Sequence, residues 1–252
     1  MQIKSFELDK EKVIFKDLGL IAYKEAWELQ ESLVKLNLDI KSNARKLATT
    51  EGSVGLPEFE KDLPTTHHLL FCEHKPVYTL GKSGNISNVL MSDAEMEEKE
   101  IEFFKTNRGG DITFHGLGQV VGYPILDLEK FYTDIGRYLR DLEEVIIRTI
   151  GDYGIVGERS NGETGVWIDA GIQGSERKIC AMGIRCSRWI TMHGFALNAN
   201  TDLSYFNNII PCGIIDKKVT SIELELKRKV DIEEVKEKLL FYFKEVFNVA
   251  II

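Results

Sequence analysis

What this chain lacks narrows it first. Nowhere in its 252 residues do about 18 apolar residues follow one another, as a membrane-spanning helix needs. The opening MQIKSFELDKEKVIF shows no basic segment leading into a long apolar run, so the expectation is a cytoplasmic protein that makes no membrane contact. The four cysteines, Cys72, Cys180, Cys186 and Cys212, lack CxxC spacing; they favour neither a zinc ribbon nor a disulfide framework and read as free thiols. Basic charge is also short, with 32 Lys and Arg against 40 Asp and Glu and a net charge of −8, which argues against nucleic acid as a partner. The GKS at 81–83 invites comparison with a phosphate-binding loop, but Pro76 stands where that loop needs a glycine. There is no GxSxG elbow for a hydrolase serine, and the five histidines fall at no familiar ligand spacing, so no metal or other cofactor is expected.

What is present is ordinary for a soluble globular chain: 43% hydrophobic and 29% charged residues, enough for a sizeable core in one domain over 1–252. Residues 20–36 repeat apolar side chains at the helical period, and a second helix is expected from about Asp134. A third is expected from Asp231, where Glu234 completes a variant capping box. Residues 37–66 turn polar and read as a long excursion or loose helix. LLFCEHKPVYTLG reads as strand, proline turn and strand, and the runs VVGYPIL, GVWIDAG and KICAMGIRCSRWITMHGFALN are β-rich. Strands interspersed with helices, without a regular βαβ rhythm, indicate an α+β fold.

Two stretches carry possible chemistry. RGGDITFHGLGQVVGYPI (108–125) has paired glycines before a polar strand, which either lets a ligand approach the backbone or merely serves a hairpin. In that strand Thr113 and His115 share one face, and Ile112 and Phe114 the other. PCG at 211–213 puts Cys212 in a loop, a better setting for a nucleophile than a strand. A free thiol of pKa about 8.5 is only about 3% thiolate at neutral pH, so it needs a cationic or basic neighbour. Lys178, an ammonium in an otherwise apolar run, is the candidate. Cys180 is the rival nucleophile, expected at i+2 to face the same way as Lys178, although Cys180, Cys72 and Cys186 read better as core residues.

The blocks EHKPVYTLG (73–81), RGGDITFHGLGQVVGYPI, GVWI (165–168), KICAMGIR (178–185), HGFALNANTDL (193–203) and PCGI (211–214) together resemble the octanoyl-protein transferases, also called lipoyl(octanoyl) transferases. The resemblance runs in order from about residue 73 to 221. It implies a single α+β domain of the biotin/lipoate protein ligase type, a mixed central sheet with surrounding helices. It also implies transfer of octanoyl, or lipoyl, from acyl carrier protein to a lysine of a lipoyl domain through a cysteine thioester, with no ATP. The implied acceptors are the lipoyl domains of 2-oxoacid dehydrogenase E2 subunits and the glycine cleavage H protein. By the same resemblance Cys212 and Lys178 match the catalytic pair. Arg108, Gly109, Gly110, Asp111, Ile112, Thr113, Phe114 and His115, with Ala181, Met182, Gly183, Gly194, Phe195 and Ala196, match the acyl-binding wall, which His115 and His193 help to shape. Against that pattern residues 38–66 look like a surface insertion, and GIQGSE (171–176) lengthens the turn before Lys178. An acidic chain that docks acidic partners needs a local basic patch, for which Arg137, Arg140, Arg185, Arg188, Lys217 and Lys218 are candidates. The rivals are an ATP-dependent lipoate-protein ligase of the same fold and a non-catalytic binding module for acyl carriers or lipoyl domains.

Overall fold

The computed structural model describes residues 10–50, 63–210 and 218–252, with the backbone alone at 48–50. The chain opens with strand β1 (Lys12–Ile21) and helix α1 (Tyr23–Thr50), then strands β2 (His67–His74) and β3 (Val77–Leu80). Helix α2 (Asp93–Glu98) leads to β4 (Glu102–Lys105), β5 (Ile112–His115) and β6 (Gln119–Ile125), and α3 (Ile135–Gly151) to β7 (Glu158–Arg159) and β8 (Val166–Ile168). The long hairpin β9 (Arg177–Ser187) and β10 (Ile190–Asn198) follows, then β11 (Lys218–Val219), α4 (Ile222–Leu226), α5 (Ile232–Phe247) and β12 (Ala250–Ile251).

The main sheet runs β12-β1-β2-β6-β10-β9-β8-β7, with β11 beside β9. Its β12, β1 and β2 are parallel and the pairs from β2 to β7 antiparallel, so the sheet is mixed, as expected. Side-chain alternation divides it into two cores. Leu69 and Phe71 of β2 face α3 and α5, against Leu142, Ile146, Leu239 and Phe243. Leu70 and Cys72 face α1, with Ala26, Val34, Val121 and Met192. The Lys75–Pro76 turn sends β3 into a separate sheet, β4-β3-β5, over a third cluster of Tyr78, Ile112, Phe114 and Phe206.

Helix α3 starts where expected, Asp134 capping it by accepting from the Arg137 amide at 2.9 Å. At α5 the Asp231 carboxylate takes the Glu233 amide (3.0 Å), and Glu234, expected to complete a capping box, lies 3.6 Å from Lys238 instead. Helix α1 differs most from the sequence reading. It continues to Thr50, the helical of the two readings of this stretch, and Asn37 and Lys41 turn inward while Asp39, Asn43 and Lys46 stay exposed. Asn37 makes two bonds to the Thr66 backbone, of 2.8 and 2.9 Å. The fully buried Lys41 Nζ lies 2.6 Å from Asp127, 2.7 Å from Glu129 and 3.1 Å from the Arg188 carbonyl. The remainder of that stretch, 51–62, is outside the described residues. Among the described residues no helix is long and apolar enough to cross a membrane, and no group of His, Cys, Asp and Glu is placed to hold a metal ion.

Candidate active site

A cavity of about 420 Å³ lies between the glycine-rich turn at 108–111, β5, β6, β9, β10 and the start of α1. The residues expected to wall an acyl site converge on it: Arg108, Gly109, Gly110, Asp111, Ile112, Thr113 and His115 from one side, Ala181, Met182, Gly183, Gly194, Phe195 and Ala196 from the other. Phe114 is the exception and corrects that expectation. Strand alternation turns its ring away, onto Tyr205 (centroids 4.5 Å apart) and against Tyr78 and Phe206 in the small-sheet core. Ile112 belongs to the same core and still reaches the cavity at its edge.

The glycines bring backbone against backbone. A Cβ on Gly183 would stand 2.7 Å from the Gly109 carbonyl oxygen, and Gly109 donates its amide to the Ile184 carbonyl at 2.8 Å. The turn thus lies directly on β9, and a side chain at Gly183 would lift it off.

Polar groups of the wall satisfy one another. Arg108 donates to the Thr79 carbonyl at 2.5 Å and to its hydroxyl at 3.0 Å, and that hydroxyl is 3.4 Å from His115 Nε2. His115 Nδ1 is 2.8 Å from Gln119 Oε1; Gln119 Nε2 donates to Asn198 Oδ1 at 2.8 Å; Asn198 Nδ2 donates to the Thr220 carbonyl at 3.0 Å. Behind them His74 donates Nδ1–H to the Ile21 carbonyl (2.9 Å) and accepts from the Tyr123 hydroxyl (2.8 Å). Tyr23 stacks on His115 at 5.9 Å. His193 sits at φ 61°, an uncommon conformation for a non-glycine residue; Gln30 accepts its amide at 3.0 Å, and its Nε2 meets Asn107 Oδ1 at 2.7 Å. Burial holds His115 and His193 down to about 3 and His74 to about 4, with neighbouring cationic groups adding to the first two. All three are neutral near pH 7. Gln119 and Tyr123 in β6 and Asn198 in β10 lie inside the quoted blocks without having been singled out, and Tyr23 in α1 lies outside every block; the fold joins them at the cavity.

Lys178 lines the cavity, its Nζ 4.5 Å above the Trp167 ring and 4.0 Å from Glu163 Oε2. Cys180 does not share its face. The β8–β9 register pairs Val166 with Cys180 but Trp167 with Lys178, so an extra residue in β9 breaks the alternation, and Ile179 and Cys180 both enter the core. Burial pushes the Cys72, Cys180 and Cys186 thiols up, which makes each a poor nucleophile at neutral pH. Cys212, and Lys217 with it, lies outside the described residues. The flanks of its segment are described: Ile210 donates to the Asn88 carbonyl (2.8 Å), and Val219 pairs with Lys178 itself. Phe206 and Val219, on either side of that segment, both line the cavity.

Four of the candidate docking cations have intramolecular partners for their side chains. Arg140 pairs with Glu143 (2.6 Å), Arg185 with Glu31 (2.9 Å), Arg137 lies over the Tyr132 ring at 4.1 Å, and Lys218 donates to the Gly174 carbonyl at 3.0 Å. The Arg188 carbonyl receives Lys41.

The mixed sheet and the cavity it carries have the lipoate protein ligase class of fold. Residues 22–244 match the lipoyl protein ligase A/B catalytic domain, and the chain belongs to that family. It is 53% identical over 238 residues to an octanoyltransferase of Christiangramia forsetii, covering 94% of this chain and 96% of that one. An octanoyltransferase of Flavobacterium psychrophilum is 55% identical, with 94% and 97% covered. Among solved structures, the bipartite lipoate protein ligase of Thermoplasma acidophilum superposes with a TM-score of 0.63 at 16% identity, over 96% of this chain and 86% of that one, a likeness of fold.

Proposed function

We propose that this chain is an octanoyltransferase that moves octanoyl from acyl carrier protein onto the acceptor lysine of lipoyl-domain proteins, in the cytoplasm, through a thioester on Cys212. The observation that carries the reading is Lys178, an ammonium lining a cavity whose wall joins glycines and apolar side chains to a hydrogen-bonded polar row, paired in register with the strand that leads out of the Cys212 segment. The cavity falls within the range of small-ligand pockets, about 300–1,000 Å³. Each methylene of the acyl chain buried there contributes about 0.8 kcal/mol.

In the first half-reaction the Cys212 thiolate bonds to the thioester carbon and the carrier's pantetheine sulfur leaves, taking a proton from Lys178. In the second the acceptor lysine's amine bonds to the same carbon, the Cys212–acyl bond breaks, and the amine's proton passes to Lys178. Thioester exchange is nearly balanced, and amide formation drives the sequence without ATP. The uncharged histidines act as walls.

The deciding experiment incubates the protein with octanoyl acyl carrier protein and no ATP, followed by intact mass and peptide mapping of the wild type, Cys212→Ala and Cys180→Ala. An octanoyl adduct on Cys212 that a lipoyl domain discharges, present in Cys180→Ala and absent in Cys212→Ala, is the expected result. Octanoate attachment only when ATP is supplied would make the chain a ligase. Partner binding that survives thiol alkylation, with no adduct, would make it a binding module.

A further inference from the structure

We infer that Glu163 and Trp167 form the seat of the Lys178 ammonium, Trp167 as the surface it rests on and Glu163 as its counter-charge, which makes Glu163 a positioning residue of acyl transfer. The inference rests on the catalytic role proposed for Lys178 and goes beyond it. Trp167 lies directly opposite Lys178 in the β8–β9 ladder, where side chains on one face meet, and the Nζ-to-ring distance of 4.5 Å is a cation–π contact. Glu163 approaches from the turn before β8; its side chain is 20% exposed and that of Lys178 15%, so water screens the pair only in part.

The turn that carries Glu163 is itself fixed. Gly165 (φ 114°) donates its amide to Glu143 Oε1 at 3.0 Å, and the buried Glu143 is held by Arg140 at 2.6 Å and Arg159 at 3.3 Å. A Cβ on Gly165 would stand 2.5 Å from the Cys180 carbonyl oxygen and 3.6 Å from Lys178 Cε, so glycine lets the turn close onto the lysine. The extra residue in β9 falls at this point, and bulges of that kind re-aim side chains beside functional sites. Arg177, the neighbouring cation in β9, is engaged by Asp169 and by both Glu225 oxygens, at 2.6 and 2.7 Å from the latter. At 4.0 Å the Glu163–Lys178 contact is a loose ion pair, which leaves the ammonium room to reach toward a reacting sulfur without leaving its counter-charge.

The test is steady-state octanoyl transfer by Glu163→Gln, Glu163→Asp and Lys178→Ala, with thermal melts of each. Glu163→Gln keeps shape and loses charge; the expected result is kcat lower by about tenfold with KM within about twofold, the pattern of an interaction used in the chemical step. Glu163→Asp keeps the charge and is expected to retain at least about a third of kcat. Wild-type kcat in Glu163→Gln, or equal losses in the Gln and Asp variants, would overturn the inference while the proposed function stands. Full activity in Lys178→Ala would instead remove the role proposed for Lys178. Should Glu163→Gln fail to fold, the seat is probed from its other side: Trp167→Phe retains kcat and Trp167→Leu, per folded molecule, loses about tenfold, with equal kcat in the two as the contrary result.

Discussion

His115, His193 and His74 behave here as neutral hydrogen-bonding plates, because burial outweighs every group that favours their protonation. The linkage has a definite sign. Unfolded, these imidazoles take a proton near pH 6.5; folded, only near 3 to 4, so the unfolded chain binds more protons in between. Stability is therefore full above about pH 6.5 and declines as pH falls toward 4, and the urea midpoint should follow, with a shallower slope in His115→Asn. A midpoint that is flat between those limits would contradict the burial argument. Gly183 allows a second prediction at this scale. A methyl there meets the Gly109 carbonyl at 2.7 Å, so Gly183→Ala should raise KM for the octanoyl donor about tenfold and lower stability by about 1–3 kcal/mol.

Among the elements, α1 shows what pattern reading misses. Its second half packs through Asn37 and Lys41, and a buried ion cluster has the composition of a loop. Lys41→Met removes the cation and leaves Asp127 buried without its charge partner, so equilibrium denaturation should show a loss of about 3–5 kcal/mol. The helices α3 and α5 were legible because apolar residues recur at the helical period behind a capping aspartate. Strand β1, with Lys12, Lys16 and Asp17 among its apolar residues, was not read as a strand. The cavity wall was legible as contiguous blocks, which is also why Phe114 was carried along with its neighbours although its ring points the other way. Gln119 and Asn198 sit in those blocks unremarked, and Tyr23, from α1, joins the wall through topology alone. The extra residue that separates Cys180 from Lys178 has no signature in the sequence, since KICAMG reads as regular alternation.

For the whole molecule, a net charge of −8 sets a repulsive background for an acidic carrier, and only charges within a Debye length of about 8 Å from the mouth can offset it. Leu139 and Val219 line the cavity, and the candidate docking cations Arg137, Arg140 and Lys218 lie within two residues of them in the chain. Replacing Arg137 and Lys218 together by Glu should raise KM for octanoyl acyl carrier protein several-fold and flatten its salt dependence, leaving turnover of a small octanoyl thioester unchanged. The wall also has a property no single residue shows. From the Arg108 guanidinium through Thr79, His115, Gln119 and Asn198 to the Thr220 carbonyl, every link can donate in one sense only, for a guanidinium has no lone pair to offer and a carbonyl no hydrogen. The row cannot reverse, so it runs along the cavity wall from β3 of the small sheet to the residue after β11 as one frozen line of dipoles, and the imidazole in its middle exists as a single tautomer with hydrogen on Nδ1.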